Sequence, residues 1–233
     1  MKRLHMGTTL LMAGVLATSL AASAGPQDAA GRAPSIDKVN GGITAEAGQI
    51  YGDLSTVNGG ITLGRGAHSR DVETVNGGIE AADEVNSGDV STVNGGIRFG
   101  RQARIDGKLE TVNGGIFTDR GSLVRGGIST VNGGIGMVGT DVGGRIETVN
   151  GDISVGADSH VKGGIKVEKQ HGNLGGWFGK PKIPRIVIGP NAVVEGPLVF
   201  EREVRLYVHA RARIGSLSGA TAVRYDGATP PKE

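Results

Sequence analysis

Residues 54–79 read LSTVNGGITLGRGAHSRDVETVNGGI, with Val57-Asn58-Gly59-Gly60-Ile61 near one end and Val75-Asn76-Gly77-Gly78-Ile79 closing the other. The same pentapeptide begins at Val39, Val93, Val112 and Val131, and a seventh copy, VNGDI, begins at Val149. Successive copies start 18 or 19 residues apart. A fixed period of this size marks stacked units rather than one globular core. A helical unit is disfavoured, because two glycines in every copy would cost about 2 kcal/mol per repeat in a helix. Between motifs the apolar residues recur in order, as in Ile61, Ala67 and Val72 or Ile97, Ala103 and Leu109. Three short apolar-bearing segments per period, separated by glycines, predict an all-β fold. The specific expectation is a single-stranded parallel β-helix (β-solenoid), right-handed, with corners where glycine takes positive φ. A period divisible into three hexapeptides keeps a left-handed winding open.

Stacking brings equivalent residues of adjacent coils to about 4.8 Å. The motif Val and Ile are therefore expected to form aliphatic ladders inside. Asn40, Asn58, Asn76, Asn94, Asn113, Asn132 and Asn150 form a second file. Their amides are both donors and acceptors, able to bond one another or the corner backbone. A third file is Thr56, Thr74, Thr92, Thr111, Thr130 and Thr148. Turned inward or set at a corner, the Thr and Asn files are structural ladders, which is the expectation. Turned outward together, they make a flat polar grid suited to ice or a glycan. The residue before each Thr alternates through Ser55, Glu73, Ser91, Glu110, Ser129 and Glu147, which doubles the separation of like charges. Sharing parity with an inward Val, these residues predict a corner at that point.

Composition agrees with a ladder core. The chain has 233 residues, 43 of them Gly, with 3% aromatics and no Cys. A disulfide framework, a thiolate zinc site and a cysteine nucleophile are excluded, and collagen is excluded by only 8 Pro and no Gly-X-Y period. Residues 1–24 read as a secretory signal: Lys2 and Arg3, an apolar run from Leu10 to Leu20, and Ala22-Ser23-Ala24 before the expected cleavage. The apolar run is short of the roughly 20 residues a membrane span needs, so no transmembrane segment is expected in the mature chain. The expected location is periplasmic or extracellular. Without the signal the chain is formally neutral, which argues against a nucleic-acid partner. Charge is unevenly divided, however: residues 25–165 carry 12 basic and 17 acidic side chains, residues 166–233 carry 11 and 6.

The expected organisation is a signal peptide (1–24), a linker or N-terminal cap (25–35), the VNGGI solenoid (36–165), a basic and aromatic loop (166–185), terminal solenoid coils (186–225) and a disordered tail (226–233). The loop, KVEKQHGNLGGWFGKPKIPR, breaks the period. Its Trp177, Phe178, Lys180, Lys182 and Arg185 are candidates for contacting an anionic envelope polymer, a surface or a partner, although aromatics here also serve to cover a coil seam.

The repeated TVNGGI and TVNGDI over residues 36–165 resemble an adhesin family of exported bacterial β-strand-repeat proteins. The stretch IVIGPNAVVEG, followed by VRLYVHARARIGSLSGA, is similar to a coil of the bactofilins, polymer-forming β-helix cytoskeletal proteins. The second resemblance implies a right-handed helix and end-to-end polymerisation. The signal peptide departs from the cytoplasmic scaffolds of that family.

No chemistry of catalysis stands out. Glu73, Glu110 and Glu147 share one register of the repeat, and His68, His160, His171 and His209 share none, so surface histidines are expected. A calcium β-roll needs Asp where Ile follows the glycines, and only Asp152 enters a motif. No cofactor or metal is expected. The expected function is an exported, non-enzymatic solenoid with a structural or adhesin-like role at the cell envelope. No capping helix is evident at either end, and the opposite charges of the two parts favour head-to-tail assembly as a homo-oligomer or filament. The alternative is a glycan- or surface-binding module using an outer Thr/Asn face or the 166–185 loop. A polysaccharide-active enzyme ranks last.

Overall fold

The computed structural model describes residues 33–169 and 182–231. Among them every element is a β-strand, and the strands pair in parallel. Two ten-stranded sheets and one seven-stranded sheet form the walls of a solenoid. One coil runs Leu54–Asn58 in the first sheet, Ile61–Leu63 in the second, and past His68 in the third. It then returns to Val72–Asn76, where Leu54 pairs with Val72 and Asn58 with Asn76. The expected β-solenoid is the fold.

The core is built from inward files. Leu54, Val72, Val90, Leu109, Ile128, Ile146 and Ile165 form one; the motif isoleucines from Ile43 to Ile153 form another. All are at most 2% exposed. Phe99 fills its file where the register neighbours are the smaller Ala81 and Thr118. Burying one Ile or Leu contributes on the order of 2 kcal/mol, so the aliphatic files carry most of the core, with Phe99 and Phe200 as its aromatic members.

The motif valine does not belong to this core, contrary to expectation. Val39 and Val57 are 60% and 41% exposed, while Thr56, Thr74, Thr92, Thr111, Thr130 and Thr148 are at most 4% exposed. Thr is inside and Val outside, and the strand Leu54–Asn58 runs through without a corner at Ser55. The reason is a backbone carbonyl. Thr56, Thr74, Thr92, Thr111 and Thr130 each donate an Oγ1 hydrogen bond at 2.8–3.1 Å to the first motif glycine of the preceding coil, from Gly41 to Gly114. An inward Val could offer that oxygen nothing, and a buried acceptor left unpaired costs about 1–3 kcal/mol.

The same carbonyl explains the glycine. A Cβ on Gly59, Gly77, Gly95, Gly114 or Gly133 would run into the carbonyl oxygen of the equivalent glycine one coil earlier. The second glycine is looser: a Cβ on Gly60 would lie 3.1 Å from the Gly78 oxygen, and one on Gly134 3.6 Å from that of Asp152. Asp152 is itself the residue that replaces a second glycine.

Glycine takes positive φ at corners, as expected, although among the motif glycines only Gly41 does (101°). The left-handed corner lies between the second and third sheets, at Gly48, Gly66, Glu84, Gln102, Gly121, Gly139, Asp158 and Asn191. Four of these eight are not glycine: Asp158 and Asn191 adopt that backbone more readily, whereas for Glu84 and Gln102 it costs about 1–2 kcal/mol. The backbone N–H groups of Gly48, Glu84 and Gln102 donate across this corner to the next coil at 2.7–2.9 Å.

The insertion is narrower than predicted. Lys166 and Val167 belong to the strand Ile165–Val167 of the first sheet, and Arg185 opens Arg185–Ile188 of the second. Residues 168–184 therefore replace the Val-Asn-Gly-Gly turn of one coil, and the register resumes at the following corner, where Asn191, 33 residues after Asp158, donates to its Oδ1 at 2.9 Å. Of the tail expected to be disordered, residues 226–231 are described, and the Pro231 carbonyl accepts a bond from Arg185 at 3.3 Å.

The threonine file gives a differential test. Among the described residues Thr148 Oγ1 has no partner, whereas Thr130 Oγ1 does. Thr130→Val is expected to cost about 1–2 kcal/mol and Thr148→Val to raise stability by about 1 kcal/mol, read from denaturant midpoints. The glycines give a second: Gly95→Ala is expected to cost about 3 kcal/mol and Gly134→Ala less than about 1 kcal/mol in the same assay.

Candidate functional site

The asparagine file is a continuous ladder. Nδ2 of Asn58, Asn76, Asn94, Asn113, Asn132 and Asn150 each donates to Oδ1 of the preceding Asn at 3.0 Å, ending on Asn40. The ladder is polar, because every amide gives its N–H to the coil before. That direction leaves the Oδ1 of the last member, Asn150, without an amide donor. Arg202 supplies one: its Nη1 lies 2.7 Å from Asn150 Oδ1 and 2.9 Å from the Val149 carbonyl, and its Nη2 lies 3.1 Å from the Lys182 carbonyl. Nothing in the repeat flags Arg202, since it acts through a neighbouring coil of different sequence.

With Thr inside, the outward Thr/Asn grid does not exist. The solvent face of the first sheet instead carries two files beside the Asn ladder. One is the valines, Val39 to Val131; the other is Asp37, Ser55, Glu73, Ser91, Glu110, Ser129 and Glu147. The acidic file is tied along its length. Ser55 Oγ donates to Asp37 at 2.6 Å, Ser129 Oγ to Glu110 at 3.4 Å, Lys108 pairs with Glu110 at 2.9 Å and Arg145 with Glu147 at 3.3 Å. The glutamates of this register are thus separated by serines, and Glu110 and Glu147 are paired with cations from the flanking corner. They do not form an acid and base pair facing a cleft.

Trp177, Phe178 and Lys180 lie outside the described residues, so the structure brings only Lys182 and Arg185 of that group together. They meet at Asp152. Lys182 Nζ is 2.6 Å from Asp152 Oδ2, and the Arg185 backbone N–H donates to Oδ1 at 2.8 Å. Burial alone would push this carboxyl up, but the Arg185 hydrogen bond and the Lys182 ammonium outweigh it and hold its pKa below the ordinary Asp value. The Arg185 guanidinium stacks over the Tyr207 ring, 4.9 Å from its centroid. On the entry side, Lys166 pairs with Glu168 at 2.9 Å and Glu201 at 3.2 Å. The Glu168 hydrogen bond, against the opposing effect of burial, raises the Lys166 pKa with help from Glu201. Both stems of the insertion are clamped to the solenoid.

Other sequence candidates disperse. His68 lies near Asn86, and His160 pairs with Glu195 at 2.7 Å. His209 is not a surface residue: it is 4% exposed, accepts from the Arg211 N–H and meets the Tyr225 ring edge-on. A shallow open trough of about 530 Å³ runs beside the second-glycine file, lined by Glu80, Arg98 and Phe117. Arg98 stacks on the Phe117 ring at 4.6 Å, so that aromatic face is covered. Among the described residues no group of three or more His, Asp or Glu is placed to hold a metal ion, and no helix is long and apolar enough to cross a membrane.

The Asp152 clamp carries a pH prediction. A depressed folded-state pKa means stability present above the unfolded value near 4 and lost as pH falls through the folded value. Cleavage within the 168–184 insertion by an acid-stable protease is expected to accelerate below about pH 4, and Asp152→Asn to remove that dependence. Against protein-family models, curated proteins and solved structures, the chain finds no match.

Proposed function

We propose that the protein is an exported, non-enzymatic rod with a structural or adhesin-like role at the cell envelope. The observation that carries this reading is where the repeat places its polar groups. Thr Oγ1 bonds the glycine carbonyl of the coil before, Asn bonds Asn, and the outward carboxylates Glu110 and Glu147 are paired with Lys108 and Arg145. Repetition here serves coil stacking, and no repeat position converges on a reacting centre. Export rests on the sequence of residues 1–24, and the adhesin-like role on the resemblance of the VNGGI copies to that exported family.

A second reading is favoured by the valine and asparagine files. Each ladder amide has one N–H and one lone pair left beyond its ladder bonds, next to a stripe of outward methyl groups. A saccharide offers hydroxyls and an apolar C–H face in similar alternation, so a glycan lying along the rod would use Val75, Val93 and Val112 with Asn76, Asn94 and Asn113. The Thr file plays no part in this version.

Two measurements separate these readings. The exported fraction of producing cells should contain a chain beginning at Gly25, seen by intact-mass spectrometry; a chain beginning at Met1 and confined to the cytoplasm would reject the envelope role. Sedimentation with insoluble cell-wall polysaccharide should leave a structural rod in the supernatant and be unaffected by Trp177→Ala. Co-sedimentation abolished by Val93→Glu identifies the glycan face, and co-sedimentation abolished by Trp177→Ala identifies the loop.

A further inference from the structure

Register places a cation on an inward file at each end of the described solenoid. At the first coil Lys38 pairs with Thr56, so it occupies the buried threonine file. At the last coil Arg224 pairs with Val208, in the file that holds Leu63, Ala81, Phe99, Met137, Val155 and Ile188. Neither file carries a charged residue at any intermediate coil. Both end residues are exposed, because no described coil lies beyond them, and both fold back onto the backbone. Lys38 Nζ donates to the Gly42 carbonyl at 2.8 Å. Arg224 Nη1 donates to the His209 and Ala212 carbonyls at 3.2 and 3.3 Å.

We infer that Lys38 and Arg224 are stops that keep a second copy of this chain from continuing the solenoid at either end. A further coil has to lie about 4.8 Å from the terminal one, across all three sheets. In that position it would enclose the Lys38 ammonium or the Arg224 guanidinium in an interior file that contains no carboxylate. An unpaired buried cation is among the most costly things a core can hold, and an inward-pointing charge is a known way of blunting a sheet edge. The unequal charge of residues 25–165 and 166–233 does favour head-to-tail approach. That attraction is a solvent-exposed, salt-screened effect, whereas a completed joint would bury both cations at once. The contact term opposes the long-range one and is the larger. End-to-end filaments, the expectation from charge partition, are therefore blocked by two side chains. The inference is independent of where the protein resides and of what its sides bind.

The test restores the residue each file holds elsewhere. The purified chain, Lys38→Thr/Arg224→Val and Lys38→Thr/Arg224→Glu are compared by sedimentation velocity and negative-stain microscopy at equal concentration. The unmodified chain is expected to run as single rods. The Thr/Val variant is expected to join end to end, at least doubling mean rod length, and the Thr/Glu variant to stay single because it keeps an inward charge. Joined rods of the unmodified chain, single rods of the Thr/Val variant, or equal joining of both variants would each overturn the inference. Hydrogen exchange on the unmodified chain reads the same joint without a substitution: amides of Ile36–Asn40 and Ala222–Tyr225 should exchange independently of protein concentration, and protection that grows with concentration would refute the stops.

Discussion

The carbonyl of the first motif glycine, aimed at the next coil, is the group around which the repeat is arranged. Parallel strands stacked at about 4.8 Å leave no room for a Cβ where that oxygen meets the following glycine, so the position is glycine from Gly59 to Gly133. The oxygen is enclosed and needs a donor. Thr two residues before the Asn supplies it from inside the coil, which forces the intervening Val to the outside. Once Val is outside, the residue before Thr is outside too, and the Ser/Glu alternation follows from like-charge repulsion between neighbouring coils. Four of the six residues in S/E-T-V-N-G-G thus trace to one backbone acceptor and the spacing that confines it.

Much of this architecture was legible in the sequence. The period fixed the coil, and the files Ile61, Ala67 and Val72 are buried where the spacing put them. The parity of Thr and Val was not legible. Both are β-branched and suit a strand, and hydrophobicity alone turns Val inward; the deciding term is a carbonyl whose position exists only after the coils stack. The left-handed corner was hidden for a different reason. Glycine marks only half of its positions, and Glu84, Gln102, Asp158 and Asn191 hold the same backbone while reading as ordinary polar loop residues. Arg202 was invisible because its partners, Asn150 and Val149, lie more than 50 residues earlier in the chain.

The candidate faces show the same division. The sequence left the Asn file to bond itself or the corner backbone, and the amides bond one another; the companion row on the surface is Val rather than Thr. An apolar stripe flanked by amides and alternating hydroxyls and carboxylates is a different chemical surface from a hydroxyl and amide grid. It presents contact area for C–H groups with hydrogen bonding at its border, whereas the grid would order water.

A solenoid built from nearest-neighbour contacts has no intrinsic length, so whatever ends it must be written into particular residues. Three devices interrupt the VNGGI repeat or close the described coils along this chain. The Asn ladder has a direction, and a direction leaves an unsatisfied acceptor at its last member, which Arg202 takes. The turn beyond that point is replaced by an insertion whose stems are held by Asp152 and Lys166. At the termini of the described coils, interior files that are otherwise uncharged end on Lys38 and Arg224. The first and third devices set a basic side chain on carbonyl or amide oxygens, and the second ties lysines to carboxylates. At each of these points the regular pattern of the repeat gives way to lysine or arginine.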